Sequence, residues 1–382
     1  MITSFDAIVI GVGSMGSSAC YFLAKGGYKV LGLEQFEISH EFGSHAGQSR
    51  IIRKAYFENS DYVPLLNRAY ENWKNLESET NTHLYFKTGL VYFGSPNHTL
   101  IQGVKRSAAL YDVGLENVDN PSLRFSQFTI PSNFETLWEP DAGFVTPEKA
   151  IQLYTQQALK HGAQIHTHER VIDWKKHGGG ILVTTDKTIY HCDKLVITAG
   201  AWIREIVPSL SNKIKITRQF VAWIKPKQPE LFTLGNFPCW LLADDEKPGC
   251  YYGFPILSEN FGEPSGLKLA HHYPAIETDP NDVDRTIRSS DEDDLKYVID
   301  KYLPGIFESL HAYKVCLYAN SPDEDFIIDQ LPGYEDYVSV ACGFSGHGFK
   351  FSSVVGEILA DLIREGKTKL PIQFLRAKRF PA

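Results

Sequence analysis

The first 34 residues constrain the fold most, because they form a strand, a glycine turn, a helix and a second strand in direct succession. Residues 6–10 (DAIVI) are an apolar, β-branched run of strand length. Residues 11–16 (GVGSMG) follow at once and fit the pattern G-x-G-x-x-G. Residues 17–25 then predict a helix, and residues 29–33 predict a strand ending at Glu34. This order predicts the β-α-β unit of a dinucleotide-binding domain.

Each glycine of the turn has a physical purpose in such a unit. Gly11 permits the tight turn, Gly13 lets the backbone approach a pyrophosphate, and Gly16 lets helix and strand pack closely. The free N–H groups and the dipole of the helix N-terminus attract the diphosphate. Glu34 is placed to accept hydrogen bonds from the adenosine ribose, which favours NAD or FAD over NADP. The motif therefore predicts a dinucleotide site and leaves NAD and FAD both open.

Length and charge exclude several classes of protein. A chain of 382 residues exceeds one ordinary core, so two domains are expected. Its 38 basic and 46 acidic residues give a net charge of −8, which argues against a nucleic-acid-binding surface. No apolar stretch approaches the roughly 20 residues that span a bilayer, and no secretory signal pattern is present, so a cytoplasmic protein is expected. The six cysteines lack metal-ligand spacing, and no metal is predicted.

Later segments return to the α/β pattern around a β-rich middle. Residues 194–202 predict a buried strand followed by small residues. Small side chains let the end of the strand lie close to a ligand at the carboxyl edge of a parallel sheet. Residues 337–343 predict a similar strand, followed by a second glycine turn and a helix from about 351 to 365. Residues 216–320 are β-rich and aromatic, as expected of an antiparallel substrate-binding sheet. The nucleotide domain is therefore predicted to be interrupted.

Two helices and one loop complete the pattern between these segments. Residues 61–80 have helical apolar periodicity, and residues 104–111 predict a short helix. The Gly/Ser-rich loop 42–50 leads to Arg50 and Arg53, three residues apart. These arginines fit two interpretations equally well, namely contact with an anionic ligand or a solvated surface loop.

Several motifs in the same order carry a resemblance to a known family. They are GVGSMG at 11–16, GSH at 43–45, RIIR at 50–53, YGFP at 252–255, GLKL at 266–269, DFIID at 325–329 and GFSGHGFK at 343–350. The chain resembles the monomeric sarcosine oxidase and N-methyltryptophan oxidase family over nearly its whole length. The resemblance implies an FAD-dependent oxidase of secondary amino acids, in which the imine product is hydrolysed and O2 is reduced to H2O2. It also implies a Rossmann-like FAD domain of glutathione-reductase type with an interleaved antiparallel-sheet substrate domain.

The resemblance assigns roles to particular residues of this chain. Arg53 and Lys350 match the pair that binds the substrate carboxylate, and Lys268 matches the oxygen-activating lysine. Tyr252 and His272 match residues of the substrate cavity, with a catalytic role implied for both. Arg50 would support the reduced flavin, and Cys316 would hold the flavin covalently through its 8α-methyl group. The implied cofactor-binding set is Gly11, Gly13, Ser14, Met15, Gly16, Glu34, Ser44, His45, Ser49, Arg50, Val171, Ala199, Gly200, Trp202, Cys316, Gly343, Gly346, His347, Gly348 and Lys350.

Without the family, simpler interpretations of these residues stand. Lys268 alternates with two leucines and fits the solvent face of a strand, and Cys316 fits an inert core thiol. His347 fits a turn residue, and His272 fits an exposed edge loop. The chain also departs from the family in residues 318–322 (YANSP), which follow the matched cysteine, in the longer loop 256–265 and at Ala46. The last two departures bear on the side-chain specificity more than on the reaction.

These observations lead to one predicted organisation and function. The FAD domain is expected at 1–85, 146–215 and 321–382, and the substrate domain at 86–145 and 216–320. The expected partners are a small secondary amine with a carboxylate, such as sarcosine, and O2; a monomer without nucleic-acid or membrane partners is expected. The alternatives are an FAD-dependent dehydrogenase that passes electrons to another carrier, and a non-catalytic FAD-binding protein.

Overall fold

The structure is a computed structural model that describes residues 2–273 and 275–380. Its strands are β1 Thr3–Ile10, β2 Val30–Leu33, β3 Arg50–Ile52, β4 Tyr85–Phe86, β5 Leu90–Gly94, β6 Glu116–Asn117, β7 Glu135–Glu139, β8 Gly143–Val145, β9 Gln164–His166, β10 Val171–His177, β11 Gly180–Thr185, β12 Ile189–Ile197, β13 Lys215–Pro226, β14 Cys239–Leu242, β15 Cys250–Gly253, β16 Leu267–His272, β17 Phe307–Asn320, β18 Ile327–Gln330 and β19 Val338–Cys342. Its α-helices are α1 Ser14–Lys25, α2 Val63–Thr80, α3 Thr99–Tyr111, α4 Pro121–Arg124, α5 Pro147–Lys160, α6 Ile203–Ile206, α7 Ser289–Tyr302 and α8 Ser352–Glu365.

The first sheet confirms the predicted dinucleotide-binding unit. Its order is β10-β11-β12-β1-β2-β9, with β19 beside β12 and β18 beside β19. β1 lies parallel to both β12 and β2, so the first strand of the chain is central. β10 and β11 form an antiparallel hairpin around the glycine run at 178–180. Because β1, β2, β12 and β19 run in parallel, their carboxyl ends meet at one edge, where α1 begins.

Small residues let the helices of this layer approach closely. α1 buries Ala19 and Cys20 completely. Where α1 crosses α8, a Cβ on Gly356 would come within 2.1 Å of the Ser18 hydroxyl oxygen, so only glycine fits there. This close packing holds the N-terminus of α1 in place at the sheet edge.

The second large sheet confirms the predicted aromatic, mostly antiparallel layer. Its order is β17-β13-β16-β15-β14-β5-β7-β6, and one pair, β14 with β5, is parallel. α7 covers one face through Leu295, Val298 and Ile299, which are buried against residues of β13 and β16. The alternate residues of β13, β16 and β17 lie on the other face, where His272 of β16 and Cys316 and Tyr318 of β17 line the site described below.

A small third sheet lies across two of the predicted domain boundaries. Its order is β3-β8-β4, and the boundary placed after residue 85 divides β4. The strands of the first large sheet all fall in the predicted FAD segments, and those of the second fall in the predicted substrate segments except for Lys215. Strands of two or three residues carry no readable periodicity, which explains why the sequence did not locate them. The exact division into domains stays a prediction.

Helix starts differ slightly from the sequence-based expectation. α2 begins at Val63 because residues 60–62 form a 3₁₀ turn capped by the Asn59 side chain. α3 begins five residues earlier than predicted, since the His98 ring nitrogen accepts a hydrogen bond from the Leu100 N–H and caps the helix. Among the described residues, no helix combines the length and the apolar character needed to cross a bilayer.

Candidate active site

One pocket is lined by residues of both large sheets. At one end it is formed by the glycine turn after β1 and by Glu34 at the end of β2. At the other end it is formed by Tyr252, His272 and Cys316 from β15, β16 and β17. The loop 343–350 between β19 and α8 also lines it. The pocket therefore connects the glycine turn with the histidine, tyrosine and cysteine side chains of the second sheet.

The glycine turn has the shape that a bound diphosphate requires. Gly11 has φ +85°, and a Cβ on it would lie 2.6 Å from the Thr198 carbonyl oxygen. A Cβ on Gly16 would lie 1.8 Å from the Gly11 carbonyl oxygen, so α1 packs directly on the turn. A Cβ on Gly13 would meet no atom within 4 Å, because Gly13 borders the open pocket. Two glycines thus serve packing, and the third leaves room for a ligand, as the sequence predicts.

Glu34 is fixed at the nucleotide end of the pocket. Its Oε2 accepts a hydrogen bond from the Val12 N–H at 2.9 Å, and its Oε1 accepts one from the Phe36 N–H at 3.1 Å. Burial raises the pKa of this carboxyl above its ordinary value, and the backbone donors oppose that rise. A carboxylate held in this way at the end of β2 suits recognition of ribose hydroxyls.

His45 supplies a second indication that a polar ligand belongs here. Its ring is buried and lines the pocket, and its Nε2 has no hydrogen-bond partner within the described residues. Burial lowers the pKa of His45, so the ring is neutral at pH 7. A buried ring nitrogen without a partner is costly unless a ligand or water satisfies it. The Glu34 carboxylate and the unpaired His45 ring nitrogen therefore fit contact with a polar dinucleotide.

Arg50 organises the loop between β2 and β3. Its guanidinium donates to the carbonyl oxygens of Ser44 at 2.9 Å, Ala46 at 2.7 Å and Ser49 at 2.8 Å. The loop is therefore wrapped around the arginine, and the solvated-loop interpretation is wrong. Arg50 and Ser44 both line the pocket, and support of the reduced flavin by Arg50 stays a prediction.

Arg53 and Lys350 lie in the same pocket, together with Glu58, which pairs with Arg53. The Arg53 Nη2 donates to both carboxylate oxygens of Glu58, at 2.6 and 2.7 Å. The Lys350 Nζ donates to the His347 carbonyl oxygen at 2.7 Å. The sequence analysis missed Glu58, because one acid in a polar segment carries no distinguishing signal.

The charges of these three groups follow from burial and from one another. Burial lowers the pKa of Lys350, and the nearby Arg53 lowers it further, to about 7. Burial acts to raise the pKa of Glu58, but the Arg53 guanidinium outweighs it and lowers that pKa to about 2. At neutral pH the site therefore contains an Arg53–Glu58 ion pair and a lysine close to its titration midpoint.

His272 faces the pocket, and its neighbour His271 faces away. The His272 Nδ1 lies 3.3 Å from the Tyr318 hydroxyl oxygen, and both residues line the pocket together with Tyr252. The His271 Nδ1 lies 2.9 Å from Asp294 of α7, on the opposite face of the sheet. Burial lowers the pKa of His272 to about 4, so the ring is neutral at pH 7. The exposed-loop interpretation of His272 is wrong, and Tyr318 is a residue that the sequence analysis missed.

Strand alternation explains Tyr318. It lies two residues after Cys316 on β17, so both side chains lie on the face that borders the pocket. Cys316 is buried beside Val221, Trp223 and Ala270, and it also lines the pocket. Its position is compatible with attachment to a flavin, and the attachment itself stays a prediction.

Lys268 is buried, but it does not line the pocket. Its Nζ donates to the carbonyl oxygens of Gly47 and Ser49 and to the Ser49 hydroxyl oxygen. Burial lowers the pKa of Lys268 well below its ordinary value, and Arg50 lowers it further. The solvent-face interpretation is therefore wrong, and the Lys268 Nζ instead lies behind the loop that Arg50 organises.

The remaining predicted residues divide clearly by position. Gly16, Ser49 and Lys268 lie behind the pocket wall, whereas the other predicted residues form it. His347 is held by Tyr56 and is more than a turn residue. No cluster of metal-ligating side chains occurs among residues 2–273 and 275–380. The predicted residues on the wall that have not been described above are Met15, Ser14, Val171, Ala199, Gly200, Trp202, Gly343, Gly346 and Gly348.

Fold and site together define a dinucleotide-dependent oxidoreductase with a second, aromatic sheet over its pocket. The family model described as FAD dependent oxidoreductase (DAO) matches residues 6–362, and the chain belongs to that family. FAD is therefore its cofactor.

Relatives and solved structures agree with this assignment. The chain is 36% identical to the monomeric sarcosine oxidase of Bacillus sp. (strain NS-129), over 99% of this chain and 98% of that protein. It is 33% identical to the N-methyl-L-tryptophan oxidase of Yersinia pseudotuberculosis, over 98% of this chain and 99% of that protein. Its fold matches NikD, described as an unusual amino acid oxidase, with TM-score 0.84 at 22% identity, covering 98% and 97% of the two chains. L-proline dehydrogenase from P. horikoshii matches with TM-score 0.83 at 22% identity, covering 100% of this chain and 98% of that one.

Proposed function

We propose that this protein is an FAD-dependent oxidase of secondary amino acids, with sarcosine or another N-methyl or cyclic amino acid as substrate. The observation that carries the proposal is the presence of Arg53, Lys350 and His272 in the pocket that also contains the dinucleotide turn. Bound FAD would supply the oxidising chemistry by accepting a hydride equivalent from the substrate carbon and passing the electrons to O2. The relatives at 33–37% identity, which are named as oxidases of N-methylated amino acids, support the substrate class.

Arg53 and Lys350 would bind and orient the substrate carboxylate. Two buried cations in fixed positions bind a carboxylate and hold its α-carbon and amine in one orientation. Glu58 already neutralises Arg53 in the free protein, so Lys350 supplies the unpaired cation of the pair. A substrate carboxylate therefore competes with Glu58 for Arg53 while it pairs with Lys350.

The opposite wall would favour an uncharged amine. His272 is neutral at pH 7 and lies next to the Tyr318 hydroxyl, so this wall contributes no anion that would hold the amine as an ammonium ion. A neutral imidazole can also accept a proton from the bound amine. Tyr252 and Phe254 close this side with aromatic surface, which excludes water from the reacting groups.

We further propose that Cys316 carries the flavin through its 8α-methyl group. The support is its place on the pocket wall and its match to the flavin-bearing cysteine implied by the sequence resemblance. Acid precipitation of the purified protein tests the linkage. Flavin absorbance in the pellet, lost in Cys316→Ala, is expected; flavin released to the supernatant by the unaltered protein would contradict the linkage.

The electron acceptor needs a separate test, because Lys268 lies behind the loop of residues 47–49. An oxidase role for Lys268 requires its charge to act on the pocket through that loop. The dehydrogenase alternative retains FAD and the carboxylate site without such a requirement. Anaerobically reduced protein mixed with O2-saturated buffer distinguishes them, since an oxidase is reoxidised in proportion to O2 concentration and a dehydrogenase is reoxidised slowly.

Substrate class is tested with matched pairs of compounds. Hydrogen peroxide formation is measured with sarcosine and L-proline and with the methyl ester of each, which retains the amine but removes the carboxylate charge. Turnover of the acids with large losses of kcat/KM for the esters is expected. Equal turnover of acids and esters would contradict the carboxylate site, and no turnover of any secondary amino acid would contradict the function.

A monomeric, cytoplasmic enzyme completes the proposal. The name "monomeric" carried by several relatives supports the first feature. Size-exclusion chromatography with light scattering tests it against the 43.0 kDa chain mass.

A further inference from the structure

The Tyr56 ring contacts both cations of the proposed carboxylate site. The centre of its ring is 4.3 Å from the Arg53 guanidinium carbon and 5.2 Å from the Lys350 Nζ. The side chain is completely buried. Because an aromatic face carries partial negative charge, a ring in contact with two buried cations attracts both of them.

The Tyr56 hydroxyl reaches a second part of the same site. Its oxygen lies 2.5 Å from the His347 Nδ1, and the His347 Nε2 lies 3.1 Å from the Glu324 carbonyl oxygen. A carbonyl oxygen only accepts hydrogen bonds, so Nε2 carries the ring hydrogen and Nδ1 accepts from Tyr56. Burial lowers the pKa of His347 to about 3, in agreement with a neutral ring of this tautomer.

His347 in turn holds Lys350. The His347 carbonyl oxygen accepts the hydrogen bond from the Lys350 Nζ at 2.7 Å. Tyr56 therefore acts on Lys350 in two ways, directly through its ring and indirectly through the residue that its hydroxyl fixes. It acts on Arg53 through its ring alone.

We propose that Tyr56 is the positioning residue of the carboxylate site, which holds Arg53 and Lys350 at a fixed separation. The need for such a residue is electrostatic: two buried cations repel each other, and Glu58, which pairs with Arg53, offsets this repulsion only in part, since the pKa of Lys350 stays lowered to about 7. The ring stabilises the charged form of Lys350, and the hydroxyl orients its partner His347. This inference rests on the proposed function, since it assumes that the two cations bind a substrate carboxylate.

The chain offers a matched control for this proposal. Tyr62 is equally buried, its ring centre lies 5.2 Å from that of Tyr56, and its hydroxyl oxygen accepts from the Phe326 N–H at 2.8 Å. Within the described part of the chain, neither Arg53 nor Lys350 lies over the Tyr62 ring. Removal of either hydroxyl or either ring therefore costs similar packing, but of these two tyrosines only Tyr56 contacts the cations directly; Tyr62 reaches them through neighbours such as Tyr56 and His347.

The test measures binding of acetate, a carboxylate without an oxidisable amine, through the visible absorbance of the FAD-loaded protein, with acetamide as the neutral control. Tyr56→Phe is expected to weaken acetate binding about threefold, and Tyr56→Leu at least about tenfold. Tyr62→Phe and Tyr62→Leu are expected to leave it within twofold. The rate of flavin reduction at saturating sarcosine should stay within about twofold in Tyr56→Phe, while KM rises.

The pH dependence gives a readout that a purely structural role would not move. Acetate binding is expected to weaken as pH rises through the Lys350 pKa of about 7. Loss of the Tyr56 ring should lower the pH at which acetate binding weakens by up to about one unit, because the charged Lys350 loses the nearer of its two aromatic partners among the described residues and keeps only Phe351, at 5.7 Å. Arg53, Glu58, His272 and His347 should keep their places. If Tyr56→Leu does not bind FAD, the comparison of acetate binding between Tyr56→Phe and Tyr62→Phe tests the proposal.

Two results would overturn the proposal. One is equal weakening of acetate binding by the Tyr56 and Tyr62 variants, and the other is unchanged acetate binding in Tyr56→Phe. Failure of the proposed function gives a different result. A protein that oxidises no secondary amino acid could still bind acetate, and the acetate affinities of the Tyr56 and Tyr62 variants would still test the role of Tyr56.

Discussion

Replacing Gly13 or Gly16 by alanine should separate cofactor binding from folding. Both changes add one methyl group within the same turn. A Cβ on Gly13 meets no atom within 4 Å and enters the open pocket. A Cβ on Gly16 would lie 1.8 Å from the Gly11 carbonyl oxygen and 2.7 Å from the Thr198 hydroxyl oxygen, so α1 must move away from the sheet.

The two substitutions therefore act on different free energies. Gly16→Ala forces backbone atoms apart, and overpacking of this kind costs about 1–3 kcal/mol or more. The gain in helix propensity from alanine, about 1 kcal/mol, offsets only part of that cost. Gly13→Ala costs no packing, but its methyl group occupies the space where a pyrophosphate approaches the backbone. We expect it to weaken FAD binding at least about tenfold, which corresponds to 1.4 kcal/mol.

The assay uses a Cys316→Ala background, so that a covalent bond cannot mask a change in affinity. FAD dissociation constants are measured by fluorescence titration, and the free energy of unfolding of the FAD-free protein is measured with urea. Gly13→Ala should change only the FAD dissociation constant, whereas Gly16→Ala should lower the free energy of unfolding. A Gly13→Ala protein that binds FAD normally, or that unfolds as readily as Gly16→Ala, would refute the assignment of these glycines.

Three further predictions concern the charged groups. Lys268→Met should slow reoxidation of the reduced flavin by O2 at least about tenfold and leave anaerobic reduction unchanged, as followed by stopped-flow absorbance; an unaltered O2 rate would reject the role of Lys268. Glu58→Gln should lower the free energy of unfolding by about 3 kcal/mol, because it leaves Arg53 buried without a counter-ion, yet acetate should bind more tightly since its competitor is gone; weaker acetate binding would contradict this competition. Lys350→Met should remove the loss of acetate affinity that accompanies a rise in pH through about 7, because Lys350 is the group that loses its charge there; an unchanged pH profile would assign that limb to another residue.

The sequence predicted the nucleotide half of the fold well for physical reasons. The β-branched run at 6–10, the glycine turn and the terminal Glu34 are local signals, because each is set by backbone geometry within a few residues. The structure confirms the strand, the turn, the helix and the position of Glu34. The small third sheet was not predictable, because its strands of two or three residues pair only through long-range contacts.

The substrate half of the site required the family resemblance. Periodicity alone placed Lys268 on a solvent face, whereas the second sheet is covered on both sides and buries it. Glu58 became visible only when folding brought it against Arg53. Tyr318 could have been predicted from the sequence, since a residue two positions after Cys316 on a strand lies on the same face of the sheet.

Anaerobic addition of sarcosine to the purified yellow protein is the most direct test of the central claim. The account predicts loss of the flavin absorbance near 450 nm, roughly as expected for two-electron reduction, and its return with formation of H2O2 when O2 is admitted. L-Proline and other N-methyl amino acids extend the test to the rest of the proposed substrate class. A flavin spectrum that none of these compounds bleaches would contradict the account and leave a protein that binds FAD without oxidising secondary amino acids.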